Sequence, residues 1–146
     1  DETMSKQRAK LAVGNWKMHG RPAENAALLQ AVAHGAGQLP ADVPVGVCAP
    51  SPYLAQTQSL LEGICVVWGV QDVPAFTYGA HTGEVAAPMV VELAASLATV
   101  GHSERLAHHR VRAELVAAQS QRFLYAVLPL TVCACKPPSL RQPTQT

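Results

Sequence analysis

The segment Leu97–Arg105 reads L-A-T-V-G-H-S-E-R, an apolar run that ends in a glycine and a cluster of polar side chains. The apolar part predicts a strand over Leu97–Val100, and the glycine permits a tight exit from that strand. In parallel α/β folds, functional side chains collect where the strands end. The histidine, serine and glutamate of this segment are therefore the first candidates for a functional site.

Predicted strands and helices alternate on both sides of this segment. Apolar runs predict five strands, over Lys10–Trp16, Val43–Ala49, Ile64–Gln71, Leu97–Val100 and Leu128–Ala134. Four helices are predicted between them, over Glu24–Gly37, Tyr53–Glu62, Ala86–Ala95 and Arg112–Tyr125. This alternation predicts a parallel sheet. Strands that are almost entirely apolar are typical of a sheet whose two faces must both be buried.

Length, composition and charge narrow the classes of function. The chain has 146 residues, of which 49% are hydrophobic, and this favours one folded domain. A net charge of +1 gives no electrostatic case for binding nucleic acid or a membrane. No apolar run approaches the ~20 residues that span a bilayer, and the N-terminus lacks an apolar signal core. We expect a cytoplasmic protein whose four cysteines are reduced thiols.

The ends of the chain differ in composition from its centre. The sequence predicts a polar extension over residues 1–9, a globular domain over residues 10–135 and a proline-rich tail over residues 136–146. Prolines in the tail forbid a regular helix or strand there.

A second polar cluster lies at the end of the first predicted strand, in G-N-W-K-M (Gly14–Met18). Lys17 as a fixed cation and His102 as a donor could flank one developing oxyanion, and Asn15 could add an amide donor. Taken singly, a lysine after a strand is more often solvated, and a histidine in a turn is more often simply hydrogen-bonded.

Together these motifs resemble the signatures of triosephosphate isomerase. N-W-K-M, the loop Y-G-A-H-T-G-E-V (Tyr78–Val85) and V-G-H-S-E-R occur in the family's order, and Q-D-V and T-V-C fit the same alignment. The resemblance implies a partial TIM (β/α) barrel of about five parallel strands with four helices. It also implies an aldose–ketose isomerase of glycolysis and gluconeogenesis, which interconverts dihydroxyacetone phosphate and glyceraldehyde 3-phosphate without a cofactor or metal.

The resemblance assigns roles to five residues. Lys17 matches the lysine that stabilises negative charge on the substrate, and Asn15 matches the asparagine beside it. His102 matches the neutral histidine that polarises the substrate carbonyl. Ser103 begins the following helical turn and belongs to the substrate-binding set, and Glu104 matches the glutamate that partners the lysine.

The loop Tyr78–Val85 resembles the segment that enters a second subunit in dimers of the family. Thr82 matches the threonine at its tip, and Tyr78 and Glu84 lie on the same loop. Five parallel strands without closure leave two edges and an uncovered apolar face. We therefore expect a homodimer or tetramer that completes or covers the sheet.

Several family features have no counterpart in these 146 residues. The family's catalytic glutamate lies in an A-Y-E-P-V-W segment that the sequence does not contain, and the flexible lid and two glycine-rich phosphate loops are also absent. Leu106 stands where the family usually has a second arginine. Since a general base contributes about 10²–10⁴-fold, we expect weak or lost isomerase activity.

Two other functions remain open from the sequence alone. A non-catalytic oligomeric scaffold, or a truncated product of an isomerase gene, would keep the fold without turnover. A metal site at His102, His108, His109 and a cysteine is disfavoured, because adjacent helical residues do not share a face.

Overall fold

A computed structural model describes residues 11–108, 113–126 and 131–134 of the chain. Its strands are β1 (Ala12–Asn15), β2 (Val45–Ala49), β3 (Val66–Val70), β4 (Leu97–Val100) and β5 (Thr131–Ala134). Its helices are α1 (Pro22–Ala36), α2 (Leu54–Leu61), α3 (Ala87–Val91), α4 (Ser103–His108) and α5 (Ala113–Ala126), and a 3₁₀ turn over Ser51–Tyr53 precedes α2.

The five strands form one sheet in the order β1-β2-β3-β4-β5, and every neighbouring pair is parallel. The predicted parallel sheet of five strands is therefore confirmed. Since all strands point the same way, their carboxyl ends meet at one edge of the sheet. The polar segments after β1, β3 and β4 consequently converge there.

Helices pack on the sheet through buried aliphatic side chains. Leu29 of α1 and Leu54 and Leu61 of α2 are each at most 1% exposed, and they join Val66 and Val70 of β3 in one core cluster. Burying a side chain of this size contributes about 1.5–3 kcal/mol to folding. This core fixes the strands whose ends carry the polar side chains.

Two predicted helical regions differ in the structure. The prediction of a helix over Ala86–Ala95 is too long, since α3 ends at Val91 and the chain turns at Ala94, which has a φ of 57°. The prediction of four helices is one too few, because α4 forms a separate helix. At six residues, α4 is too short to show an apolar period.

Some predictions fall outside the described residues. These are the extension over residues 1–9, the tail over residues 136–146, and the histidine and cysteine at positions 109 and 135. Among the helices of the described ranges, none is both long enough and apolar enough to cross a membrane.

Candidate active site

Lys17 follows β1 in a backbone conformation that is held from two sides. Its φ of 53° lies in the left-handed region, which is unfavourable for a residue with a side chain. Its N–H donates to Asn15 Oδ1 at 2.9 Å, and its carbonyl accepts from Gln71 Nε2 at 2.8 Å. Gln71 Nε2 also donates to the carbonyl of Cys48 at 3.2 Å. The Gln71 amide thereby joins the ends of β1, β2 and β3.

The Lys17 side chain pairs with Glu104 across the carboxyl edge of the sheet. Nζ lies 2.6 Å from Glu104 Oε1, and the two side chains are 52% and 48% exposed. An ion pair this exposed contributes little to stability, about 0–1 kcal/mol. Its main effect is to orient the ammonium group.

His102 reaches the same edge through a glycine turn after β4. Gly101 has a φ of 63°, and a Cβ there would lie 2.8 Å from Val116 Cγ1, so the turn accepts only glycine without rearrangement. The N–H of Glu104 donates to His102 Nδ1 at 3.2 Å. Because that backbone group can only donate, Nδ1 is the acceptor, and this hydrogen bond assigns the ring hydrogen to Nε2. The other ring nitrogen is thus a donor for an oxygen.

These side chains surround an open cavity of about 500 Å³. Its lining residues are Asn15, Lys17, Met18, Gln71, His102, Glu104 and Arg105. Four of the residues proposed from the sequence are thus brought together. Ser103 begins α4 but is not among the lining residues.

The three predicted subunit-contact residues lie elsewhere. Tyr78, Thr82 and Glu84 are exposed on the loop between β3 and α3, and Tyr78 is 63% exposed. Their proposed contact with a second chain stays a prediction.

A second polar cluster beside the cavity was not predicted. Asp72 Oδ2 lies 3.1 Å from Arg105 Nη2, and Asp72 Oδ1 accepts from Gln119 Nε2 at 3.3 Å. Burial raises the pKa of Asp72 to about 6, although the Arg105 charge opposes the rise. Negative charge on Glu84 raises this pKa further, while hydrogen bonds from Val73 N–H and from Gln119 lower it. The sequence signal that could have indicated this cluster is the pair Gln71-Asp72, which directly follows the apolar residues of β3.

The described residues contain no group of three His, Cys, Asp or Glu side chains that could hold a metal ion. Of the metal ligands considered from the sequence, the His108 side chain and all of residue 109 lie outside that description.

The arrangement can bind a small anion and donate a hydrogen bond to one of its oxygens. Lys17 supplies positive charge, and the His102 ring supplies a hydrogen-bond donor for an oxygen on which negative charge develops. Both are held by contacts to the main chain and to Glu104.

Comparison with known proteins shows similarity to triosephosphate isomerases. The family model described as Triosephosphate isomerase matches residues 10–146. The chain is 49% identical over 131 residues to the triosephosphate isomerase of Bordetella pertussis, covering 90% of this chain and 52% of that protein. It is 48% identical over 140 residues to that of Cupriavidus taiwanensis, covering 95% of this chain and 56% of that protein.

Among solved structures, the chain resembles the triosephosphate isomerase of Bartonella henselae with a TM-score of 0.77 and 30% sequence identity. The match covers 86% of this chain and 50% of that one. The predicted partial (β/α) barrel is therefore confirmed. The chain spans about half the length of the curated relatives it matches.

Proposed function

Because the chain belongs to the triosephosphate isomerase family, we propose that it acts in the interconversion of dihydroxyacetone phosphate and glyceraldehyde 3-phosphate. The observation that carries this proposal is the cavity in which Lys17, His102 and Glu104 meet. The proposed substrate is therefore a phosphorylated triose. Since the reaction only moves a proton between neighbouring carbons, it needs no cofactor.

Each residue of the cavity has a role in the proposed reaction. Lys17 attracts the anionic substrate and offsets charge that develops on its oxygens. The His102 Nε2–H donates to the carbonyl oxygen as the neighbouring carbon loses its proton. Glu104 orients the Lys17 ammonium group, and Asn15 holds its main chain. Ser103, at the start of α4, is proposed as a substrate contact and not as a catalytic residue.

The proton acceptor is the part of the reaction that these residues do not supply. The Glu104 carboxylate is engaged by Lys17 at 2.6 Å and is poorly suited to act as the base. A general base contributes about 10²–10⁴-fold to the rate. We therefore propose that a protein made of these 146 residues alone turns over weakly or not at all, while it still binds the anionic group.

Turnover by the purified chain tests this function. The chain should be produced in a host that lacks its own isomerase, and assayed beside Lys17→Ala, His102→Gln and, as control, Gln30→Ala on the exposed side of α1. We expect a weak rate that each site variant lowers by about 100-fold and the control leaves unchanged. A rate insensitive to both site variants would contradict the assignment. If the wild-type chain neither turns over the substrate nor binds the anion, a non-catalytic scaffold is favoured.

The proposed setting is the cytoplasm, because the thiols of Cys48 and Cys65 suit a reducing compartment. The proposed partner is a second copy of the chain, in a homodimer or tetramer. Tyr78, Thr82 and Glu84 would contribute to the contact from their exposed loop.

A further inference from the structure

Asp72 is the centre of the polar cluster beside the cavity. Its side chain is only 17% exposed, and both of its carboxylate oxygens have partners. Arg105 of α4 pairs with one oxygen at 3.1 Å, and Gln119 of α5 donates to the other at 3.3 Å. Two different helices thus fix the position of one carboxylate.

Arg105 connects this cluster with the cavity. It lies in the cavity wall and directly follows Glu104, which pairs with Lys17. Its Nε is buried and has no hydrogen-bond partner among the described residues. Among the described residues, the ion pair with Asp72 therefore fixes the guanidinium group through Nη2, and Nε makes no hydrogen bond.

We propose that Asp72 is a positioning residue, which holds the Arg105 guanidinium in the cavity wall and offsets its charge. Asp72 would thereby set how strongly the cavity attracts an anion. The inference rests on the proposed function only in taking the ligand to be anionic. Gln119 contributes a hydrogen bond but no charge, so it cannot replace the carboxylate in this role.

The protonation of Asp72 gives this role a pH dependence. The charged groups that face the carboxyl are Arg105 on α4 and Glu84 on the loop before α3, while Gln119 and the Val73 N–H are neutral donors. Its pKa, raised by burial to about 6, means that the carboxylate takes up a proton just below neutral pH. The Arg105 charge is then no longer offset, and attraction for an anion should increase.

Sulfate is a suitable probe, because it remains a dianion over the whole range of the test. Its affinity is measured by calorimetry for the wild-type chain and for Asp72→Asn, on both sides of the Asp72 titration. Well above that pKa we expect the Asn variant to bind about fivefold more tightly, and well below it the two affinities should converge. His102 and Glu104 are present in both proteins, so the difference between them isolates Asp72.

Glu84→Gln serves as the matched variant that leaves Asp72 in place. Removing the Glu84 charge removes one cause of the raised pKa, so the pH at which sulfate affinity increases should move downward. If Asp72→Asn does not fold, the comparison of wild type with Glu84→Gln carries the same test.

The ¹⁵Nε resonance of Arg105 gives a second readout that needs no ligand. We expect it to shift with the Asp72 titration in the wild type and to lose that shift in Asp72→Asn. Equal sulfate affinity in wild type and Asp72→Asn at every pH would overturn the inference. If sulfate binds to neither protein, the proposed function fails, and the Arg105 resonance then decides alone whether Asp72 holds this side chain.

Discussion

At the scale of single residues, Gln71 holds the main chain of the site. Its side-chain amide bonds the carbonyls of Lys17 and Cys48. Gln71→Met keeps the length of the side chain and removes both bonds, so we expect the free energy of unfolding to fall by about 1–2 kcal/mol. Urea unfolding measures the change, with Gln30→Met on the exposed side of α1 as control. Equal stability of the two variants would mean that these bonds do not support the Lys17 conformation.

Asp72 gives a second prediction at this scale, on stability against pH. Its pKa in the folded chain is about 6, above the value of 3.8 for an unperturbed aspartate, because burial disfavours the charged form. The folded state therefore binds the Asp72 proton more tightly than the unfolded state does. The stabilisation of the fold by this proton is complete below the unperturbed pKa of 3.8 and is lost as pH rises through about 6.

Asp72→Asn removes that dependence. Between about pH 4 and about pH 7, the free energy of unfolding of the wild type should fall relative to the variant by up to about 3 kcal/mol. Urea unfolding of both proteins at several pH values measures the difference. A difference that does not change with pH would contradict the raised pKa.

Part of the site was predictable from single residues and part was not. Asn15, Lys17, His102 and Glu104 lie at or just after the ends of apolar runs, and the end of a parallel strand is where functional side chains collect. Arg105 and Gln119 were missed because their role depends on Asp72. Gln119 lies 47 positions from that partner, and only the packing of α5 brings the two together.

At the scale of elements, the pairing of β3 with β4 requires a residue without a side chain at Gly69. A Cβ on Gly69 would lie 1.6 Å from the carbonyl oxygen of Leu97, which is backbone and cannot move aside. Gly69→Ala should therefore destabilise the chain by more than about 3 kcal/mol or prevent folding. Gly14→Ala in β1 is the control, because its Cβ would meet nothing within 4 Å. Thermal unfolding compares the two, and similar melting temperatures would contradict the close approach.

The elements differ in how well the sequence predicted them. β4 has the predicted bounds of Leu97–Val100, because an apolar run between a polar residue and a glycine marks both ends. The end of α3 could not be predicted from periodicity, since it is set by the left-handed turn at Ala94. α4 begins with polar residues and is too short to show a pattern.

At the scale of the whole molecule, the proposed contact with a second chain can be tested at exposed apolar side chains. Met18 at the cavity is 94% exposed, and Tyr78 and Phe76 on the loop before α3 are 63% and 44% exposed. Such groups are costly to leave in water and often mark an interface. We expect the chain to have the mass of a dimer or tetramer by light scattering at micromolar concentration. Tyr78→Asp should lower that mass to the mass of a monomer, whereas Ala27→Asp on the exposed side of α1 should not.

Two results of the light-scattering experiment would contradict the proposed self-association through the loop. A wild-type chain that is monomeric would exclude self-association as the cover for the sheet. A mass that falls equally in both variants would place the contact elsewhere than the loop.

The order of the strands in the sheet follows their order along the chain. Each strand after β1 consequently pairs with one that the ribosome has already made. In the nascent chain, β1, β2 and β3 can form with α1 and α2 before the segment that carries His102 and Arg105 has left the ribosome exit tunnel. Gln71 is thus synthesised before Glu104, and we expect it to anchor the Lys17 main chain before Glu104 pairs with the lysine side chain.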